Sequence, residues 1–127
     1  MLIVTSLEGA EEAWRRLRPA RVISLVSEDE TAPPFDGLAA AAHLKLYVDS
    51  ESSARSIASA ARARADAIIA FLRGWGGDGD ILIHCRRGVS RSTAAAFIAM
   101  CMARPDESEA ALLLRLRRAR AARGCAW

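Results

Sequence analysis

The sequence predicts an α/β fold with a mainly parallel central sheet of about four strands and helices on both faces. Short, largely apolar runs alternate with helix-length segments, which is typical of strands that helices cover. Alanine is abundant, and alanine favours helices. The chain has 127 residues, of which 52% are hydrophobic and 26% charged. This size and composition predict a single domain over residues 1–127.

The chain begins with a strand, a helix and a second strand. Residues 2–7 form an apolar run that predicts a short buried strand. A helix over residues 8–17 follows, and Pro19 ends it because proline lacks the N–H that a helix interior needs. Residues 21–27 give the second strand. The helix places four apolar side chains on one face: Ala10, Ala13, Trp14 and Leu17.

A loop then leads to the third strand. Residues 28–37 are acidic and proline-rich, so they predict a loop, and residues 38–42 a short helical turn. Residues 43–48 alternate in polarity enough to predict a strand, with Asp49 at its C-terminal end.

The longest predicted helix follows this strand. Ser52 or Ser53 can cap its start, it runs to about Arg73, and Gly74 is the expected C-cap glycine. Its apolar stripe at helical spacing consists of Ile57, Ala61, Ala65, Ile68 and Leu72.

The last third of the chain predicts a strand and two helices. A glycine-rich turn precedes a strand over residues 80–84. The helix over residues 91–103 is apolar nearly all round, so we expect it to be central and buried. Pro105 ends it, and Asp106 is expected to cap the final helix. That helix has four residues in phase: Ala110, Leu113, Leu114 and Arg117.

The segment between the last strand and the buried helix predicts an anion site. Loop N–H groups and the positive end of a helix dipole meet there. Cys85 lies at the floor of this loop and Arg91 at its end, while Gly88 permits a close backbone approach. The positive surroundings favour a thiolate at Cys85. The guanidinium of Arg91 can hold two phosphate oxygens, so phosphate or sulfate is expected to occupy the loop.

Each of these residues alone has a common structural interpretation. A cysteine such as Cys85 is more often an inert buried residue, and Arg91 alone would more often form a surface ion pair. His84 alone is more often a core histidine, and we expect it to orient the loop rather than to transfer a proton. Cys101 and Cys125 are expected to be structural. The joint pattern of His-Cys, five residues, Arg-Ser after a strand and before a helix is far more specific.

The segment from His84 to Ser92, His-Cys-Arg-Arg-Gly-Val-Ser-Arg-Ser, resembles the signature of the cysteine-dependent protein tyrosine phosphatases in their dual-specificity-like form. The similarity continues to Ala99 and is typical of small bacterial members. The resemblance implies a phosphocysteine at Cys85 and a serine, Ser92, that assists thiolate departure. It also implies a phosphate-binding loop made of Arg86, Arg87, Gly88, Val89, Ser90 and Arg91.

The same resemblance implies a general acid on a separate loop upstream of the cysteine. Asp49 is the preferred candidate because it follows a predicted parallel strand, so it lies at the same sheet edge as Cys85. A helix N-terminal aspartate is the competing interpretation. Glu51 and Asp36 are the alternatives for the acid.

These features predict a metal-independent and cofactor-independent phosphomonoester hydrolase that acts on a phosphorylated protein or peptide. Arg86 and Arg87 keep a phosphoinositide or nucleotide substrate open. Two other interpretations are a rhodanese-like sulfurtransferase and a non-catalytic phosphate-binding module. The serine after Arg91 favours phosphoryl transfer over the sulfurtransferase.

Composition argues against several other classes. The net charge is +3, and all basic residues but Lys45 are arginine, without the aromatic interleaving of a nucleic-acid interface. No apolar run reaches the roughly 20 residues of a membrane span, and no signal peptide is visible. Three irregularly spaced cysteines predict neither disulfides nor a zinc site, so we expect a cytoplasmic protein. The sequence leaves the oligomeric state open.

Overall fold

The computed structural model describes residues 1–47, 54–87 and 91–121. Its strands are β1 (Leu2–Ser6), β2 (Arg21–Val26), β3 (His43–Tyr47) and β4 (Ile81–Cys85). Its helices are α1 (Leu7–Leu17), α2 (Ala54–Trp75), α3 (Arg91–Ala103) and α4 (Glu109–Ala121), and a short 3₁₀ turn occupies Ala40–Ala42.

The four strands form one sheet in the order β1-β4-β2-β3, and every pair is parallel. Ser6 pairs with Cys85 across the β1–β4 ladder, and Ser24 pairs with His84 across β2–β4. The predicted α/β fold is therefore confirmed, and the sheet is wholly parallel. All strands end at the same edge, which is where ligands bind in sheets of this kind.

Helices cover both faces of the sheet. On one face α1 buries Ala10, Ala13 and Trp14 against strand residues such as Leu82. On the other face α2, α3 and α4 pack on an aliphatic cluster that includes Ile23. Each fully buried aliphatic side chain contributes about 1.5–3 kcal/mol, so both faces stabilise the fold. The strand residues of the larger cluster are Leu2, Val4, Ile23, Leu25, Ile81, Ile83 and Cys85.

The helix α1 begins one residue earlier than expected, because Ser6 acts as its N-cap. The Ser6 hydroxyl oxygen accepts the Gly9 N–H at 3.1 Å. At the other end Arg18 adopts a left-handed conformation, with φ of 44°, and its N–H donates to the Trp14 carbonyl at 3.0 Å. The Arg18 guanidinium lies over the Trp14 ring, 5.1 Å from its centroid, and this contact helps to hold the strained residue in place.

Two helix ends differ from the prediction. The helix α2 passes through Gly74 and ends at Trp75, because Gly76 takes the positive φ of 61° and its N–H reaches the Leu72 carbonyl at 3.1 Å. The predicted start of α2, Ser52 or Ser53, lies outside the described residues. At α4 the cap is Ser108 rather than Asp106, since the Ser108 hydroxyl accepts the Ala111 N–H at 3.2 Å.

The prediction of which helix residues are buried was also partly wrong. Among the α4 side chains that the structure describes, Leu112 and Leu116 are buried, whereas Leu113 and Leu114 are 37% and 50% exposed. In α2 the predicted stripe holds at Ile68 and Leu72, but Ala61 is exposed. The helix α3 has the predicted bounds and buries one face rather than its whole surface. That face consists of Ser92, Ala95, Ala96, Ala99 and Met100.

Among the helices in the described part of the chain, none combines the length and the apolar character that a membrane crossing requires.

Candidate functional site

The candidate site lies where β4 ends and α3 begins. Cys85 is the last residue of β4 and Arg91 the first residue of α3. A backbone hydrogen bond connects the start of the intervening loop to the corner where β1 ends and α1 begins. The Leu7 N–H donates to the Arg86 carbonyl at 3.1 Å. The parallel pairing of β1 with β4 brings that corner next to the loop.

The thiol of Cys85 is buried and has a hydroxyl partner. Its side chain is 3% exposed, and Sγ lies 3.2 Å from the Oγ of Ser92, which is itself fully buried. As a thiol, Cys85 donates to the Ser92 oxygen. As a thiolate it would accept from the same hydroxyl, since a serine can both donate and accept. The pair therefore suits a sulfur that changes its charge during a reaction.

A cleft of about 120 Å³ lies over the thiol. Cys85 and three arginines line it: Arg86, Arg87 and Arg91. Arg86 and Arg87 are exposed, and Arg91 is half-buried. Three arginines at one small cleft create a positive potential that attracts an anion. The remaining residues of the predicted loop, Gly88, Val89 and Ser90, lie outside the described residues.

Arg91 contacts a residue that the sequence did not identify. Its Nη1 donates to the hydroxyl oxygen of Ser27 at 3.3 Å. Ser27 follows β2 directly, and its backbone N–H donates to Oε2 of Glu30 at 3.1 Å. The Glu30 side chain is only 7% exposed, and its Oε1 is 3.9 Å from Nη1 of Arg86. Their position after the carboxyl end of a parallel strand is the signal that could have identified both residues.

His84 is fully buried on the opposite side of β4 from the thiol. Its Nε2 lies 2.6 Å from the Ser24 hydroxyl oxygen, and the same oxygen lies 2.8 Å from Nε2 of His43. The Phe35 ring packs against both imidazoles, with centroid distances of 5.8 Å to His84 and 5.2 Å to His43. The Ser24 hydroxyl therefore joins two imidazoles beneath the reactive loop.

Burial favours the neutral form of both imidazoles. It lowers the pKa of His84 to about 4, with a smaller contribution from His43. The pKa of His43 is also lowered, first by burial and then by Lys45. Since Ser24 has one hydroxyl proton, it donates to one ring nitrogen and accepts from the other. A role for His84 in orienting the loop agrees with this arrangement and stays a prediction.

The structure describes only one of the three candidates for the general acid. Asp49 and Glu51 lie outside the described residues. Asp36 is exposed, and its carbonyl accepts a hydrogen bond from Nη1 of Arg18 at 3.3 Å. Arg18 follows the C-terminus of α1, about 16 Å of helix away from the corner beside Arg86. The structure therefore does not bring Asp36 to the thiol.

Side chains that bind anions line the cleft in the part of the chain that the structure describes. No group of three or more His, Cys, Asp or Glu side chains there could hold a metal ion. The cleft over Cys85 offers guanidinium donors, which bind anions. Within the described residues Cys101 forms no disulfide, and its pKa is raised first by burial and then by the nearby Glu109.

Comparison with solved structures identifies the fold. Human DUSP28 matches over 94% of this chain and 78% of its own length, with a TM-score of 0.60 and 24% sequence identity. Tk-PTP, in its active form, matches over 91% of this chain and 75% of its own length, with a TM-score of 0.54 and 18% identity. No protein-family model and no curated protein matches the sequence.

These comparisons confirm the predicted fold. The chain has the parallel α/β fold of dual-specificity-like tyrosine phosphatases, as the segment from His84 to Ser92 had indicated. At such low identity the similarity concerns the fold alone. What the protein does has to be argued from its own residues.

Proposed function

We propose that the protein is a phosphomonoester hydrolase, a protein tyrosine or dual-specificity phosphatase that acts through a phosphocysteine on Cys85. One observation carries the proposal: the Cys85 thiol, which contacts the buried Ser92 hydroxyl, lines one small cleft together with Arg91 and two further arginines. A nucleophile, a leaving-group partner and a bidentate anion donor are the groups that phosphoryl transfer to sulfur requires.

In the first step the Cys85 thiolate attacks phosphorus in line with the ester oxygen. A sulfur–phosphorus bond forms, and the phosphorus–oxygen bond to the substrate breaks. Asp49 gives its proton to the departing oxygen, so a neutral alcohol or phenol leaves. Arg91 and the loop N–H groups stabilise the charge on the equatorial oxygens, where it is largest in the transition state.

In the second step water hydrolyses the phosphocysteine. The Asp49 carboxylate takes a proton from the water as its oxygen bonds to phosphorus. The sulfur–phosphorus bond breaks, and Cys85 leaves as a thiolate that accepts the Ser92 hydroxyl proton in a hydrogen bond. The 3.2 Å contact between Sγ and Oγ supports this assignment. A reducing, cytoplasmic compartment would keep the cysteine available for the next cycle.

A second candidate within the same mechanism is a polyanionic substrate, such as a phosphoinositide or nucleotide. Its support is the exposed pair Arg86 and Arg87 beside the cleft. Phosphoprotein remains our first proposal, because the nearby Glu30 carboxylate partly offsets the charge of Arg86. Two alternatives remain: sulfur transfer of the rhodanese type, and phosphate binding without turnover. The assays below distinguish both from phosphatase activity.

The test measures hydrolysis of p-nitrophenyl phosphate and of a phosphotyrosine peptide in the presence of EDTA. We expect Cys85→Ser to lower kcat by at least about a thousandfold, because the nucleophile is lost. The matched control, Cys101→Ser, should retain activity. Asp49→Asn should slow the peptide more than p-nitrophenyl phosphate, since the better leaving group needs less protonation.

Four results would contradict the proposal or one of its assignments. Activity that survives Cys85→Ser would rule out a phosphocysteine. Equal peptide turnover by wild type and Asp49→Asn would assign the acid to another residue. Sulfur transfer from thiosulfate to cyanide without phosphatase activity would select the rhodanese-like function, and phosphate binding without any turnover would select a binding module.

A further inference from the structure

The turn that follows β2 connects two arginines of the cleft to one buried carboxylate. We call residues Ser27–Glu30 the β2 turn. The Glu30 N–H donates to the Ser27 carbonyl at 3.0 Å, and the Ser27 N–H donates to Oε2 of Glu30 at 3.1 Å. These two reciprocal hydrogen bonds close the turn. They fix the position of the Ser27 hydroxyl with respect to the end of the sheet.

Glu30 differs from the other acidic residues of the β2 turn. Its side chain is 7% exposed, whereas Glu28 and Asp29 are exposed to solvent. A carboxylate is buried in a protein only where hydrogen bonds and charge partners offset the loss of water. Glu30 has the Ser27 N–H as a donor and Arg86 at 3.9 Å as a charge partner. Its burial therefore points to a specific structural role beside the cleft.

Ser27 determines which part of the Arg91 guanidinium remains available. A guanidinium carries five N–H donors in a planar fork, and two parallel donors on one edge match two oxygens of a phosphoryl group. The Ser27 hydroxyl engages Nη1. That contact leaves the edge formed by Nε and Nη2 for a phosphoryl group.

We propose that Ser27 and Glu30 are positioning residues, which hold Arg91 with its Nε–Nη2 edge directed to a phosphoryl group above Cys85. The proposal rests on the proposed function, because it assigns the phosphoryl group to this cleft. Ser27 acts through Arg91, and Glu30 acts through Ser27. Neither residue needs to touch the reacting atoms.

A simpler role for Glu30 would be that of a counter-charge to Arg86. The two roles predict opposite signs. Removal of a counter-charge makes the cleft more positive, so an anion would bind more tightly. Loss of a positioning residue frees Arg91, so an anion would bind more weakly. Phosphate affinity of a Glu30 variant therefore distinguishes them.

The experiment measures the Kd of inorganic phosphate by calorimetry, with kcat and KM for p-nitrophenyl phosphate in parallel. We expect Ser27→Ala to weaken phosphate binding on the order of tenfold, the effect of losing one hydrogen bond to a charged group. Ser27→Thr keeps the hydroxyl and should restore binding to within about twofold. Glu30→Leu should weaken binding by several-fold, and the exposed control Asp29→Asn should not weaken it. Thermal melting shows that each variant is folded.

The results separate this proposal from the proposed function. Phosphate binding that weakens in Ser27→Ala and recovers in Ser27→Thr supports positioning, even if no ester is hydrolysed. Unchanged binding by Ser27→Ala, or tighter binding by Glu30→Leu, would overturn it. A wild-type protein that binds no phosphate would overturn it as well. A wild type that binds phosphate but lacks turnover would overturn only the hydrolase assignment.

Discussion

The two faces of β4 support the reactive loop in different ways. On the face toward α3, Ile81, Ile83 and Cys85 alternate along the strand within the larger aliphatic cluster. On this side the cysteine Sγ lies 3.2 Å from the Ser92 hydroxyl oxygen. Hydrocarbon packing on this face holds the thiol against α3. Of the three strand residues, Cys85 alone has a titratable side chain.

The face toward α1 combines aromatic packing with a polar network. His84 is buried beside Phe35. The Ser24 hydroxyl forms hydrogen bonds with Nε2 of His84 and with Nε2 of His43. Hydrogen bonds are directional, so this network orients the imidazole next to Cys85 in a way that aliphatic contacts cannot. Burial of this network has a free-energy cost at low pH, because both imidazoles lose the water that stabilises their protonated forms. The packing on one face of β4 therefore does not depend on pH, whereas the hydrogen-bond network on the other face does.

The largest expected effect comes from the aliphatic face. Ile83 is fully buried, so Ile83→Ala should lower the free energy of unfolding by about 2–5 kcal/mol. The loss should be the same near neutral pH and at about pH 5, because no proton is involved. Urea titration at both pH values measures it. A loss that grows strongly at the lower pH would show that the two faces are not independent.

The second effect should come from the polar face. The pKa of His84 falls from 6.5 to about 4 on folding, so the unfolded chain takes up a proton first as the pH decreases. Stability from this group is intact above about pH 6.5 and declines by up to about 3 kcal/mol toward pH 4. His84→Gln removes the titrating group, so its free energy of unfolding should depend less on pH in this range. Parallel pH profiles for the two proteins would refute this assignment.

The smallest stability effect should come from the hydroxyl beside the thiol. Ser92→Ala removes one hydrogen bond and should cost about 1 kcal/mol or less in stability. Under the proposed mechanism, it slows departure of the thiolate by about tenfold, so the phosphocysteine accumulates. Stopped-flow assays should then show a burst of p-nitrophenol before a slow steady state. Ser108→Ala, in the cap of α4, is the matched control and should give no burst.

The sequence predicted those features that depend on neighbouring residues. Cys85 and Arg91 belong to one continuous segment, and the bounds of α3 follow from an apolar run that ends before Pro105. The strands were recognisable as short apolar runs. The burial of α4 was not, because leucines occupy both adjacent and alternating positions, and either face could pack. Leu112 and Leu116 are buried because they pack against the larger aliphatic cluster of the fold.

Contacts between distant strands lay beyond sequence reasoning. The link from His84 through Ser24 to His43 exists only because β2 lies between β4 and β3 in the sheet. The contact of Arg91 with Ser27 joins residues 64 positions apart. Nothing local marks Ser24 among the serines of the chain, and the one signal for Ser27 is its position after the end of β2. Their roles follow from strand order, which the pattern of apolar runs does not specify.

The hydrogen bond from the Leu7 N–H to the Arg86 carbonyl has a consequence for the order of folding. It joins backbone groups, so only a proline at position 7, which lacks the N–H, would remove it directly. The two residues are separated by most of the chain, and β1 must find β4 before the bond can form. Contacts of such high sequence separation form late and slowly. The contact between Leu7 and Arg86 should therefore form among the last events of folding, and under the proposed function the appearance of activity should report completion of the whole sheet.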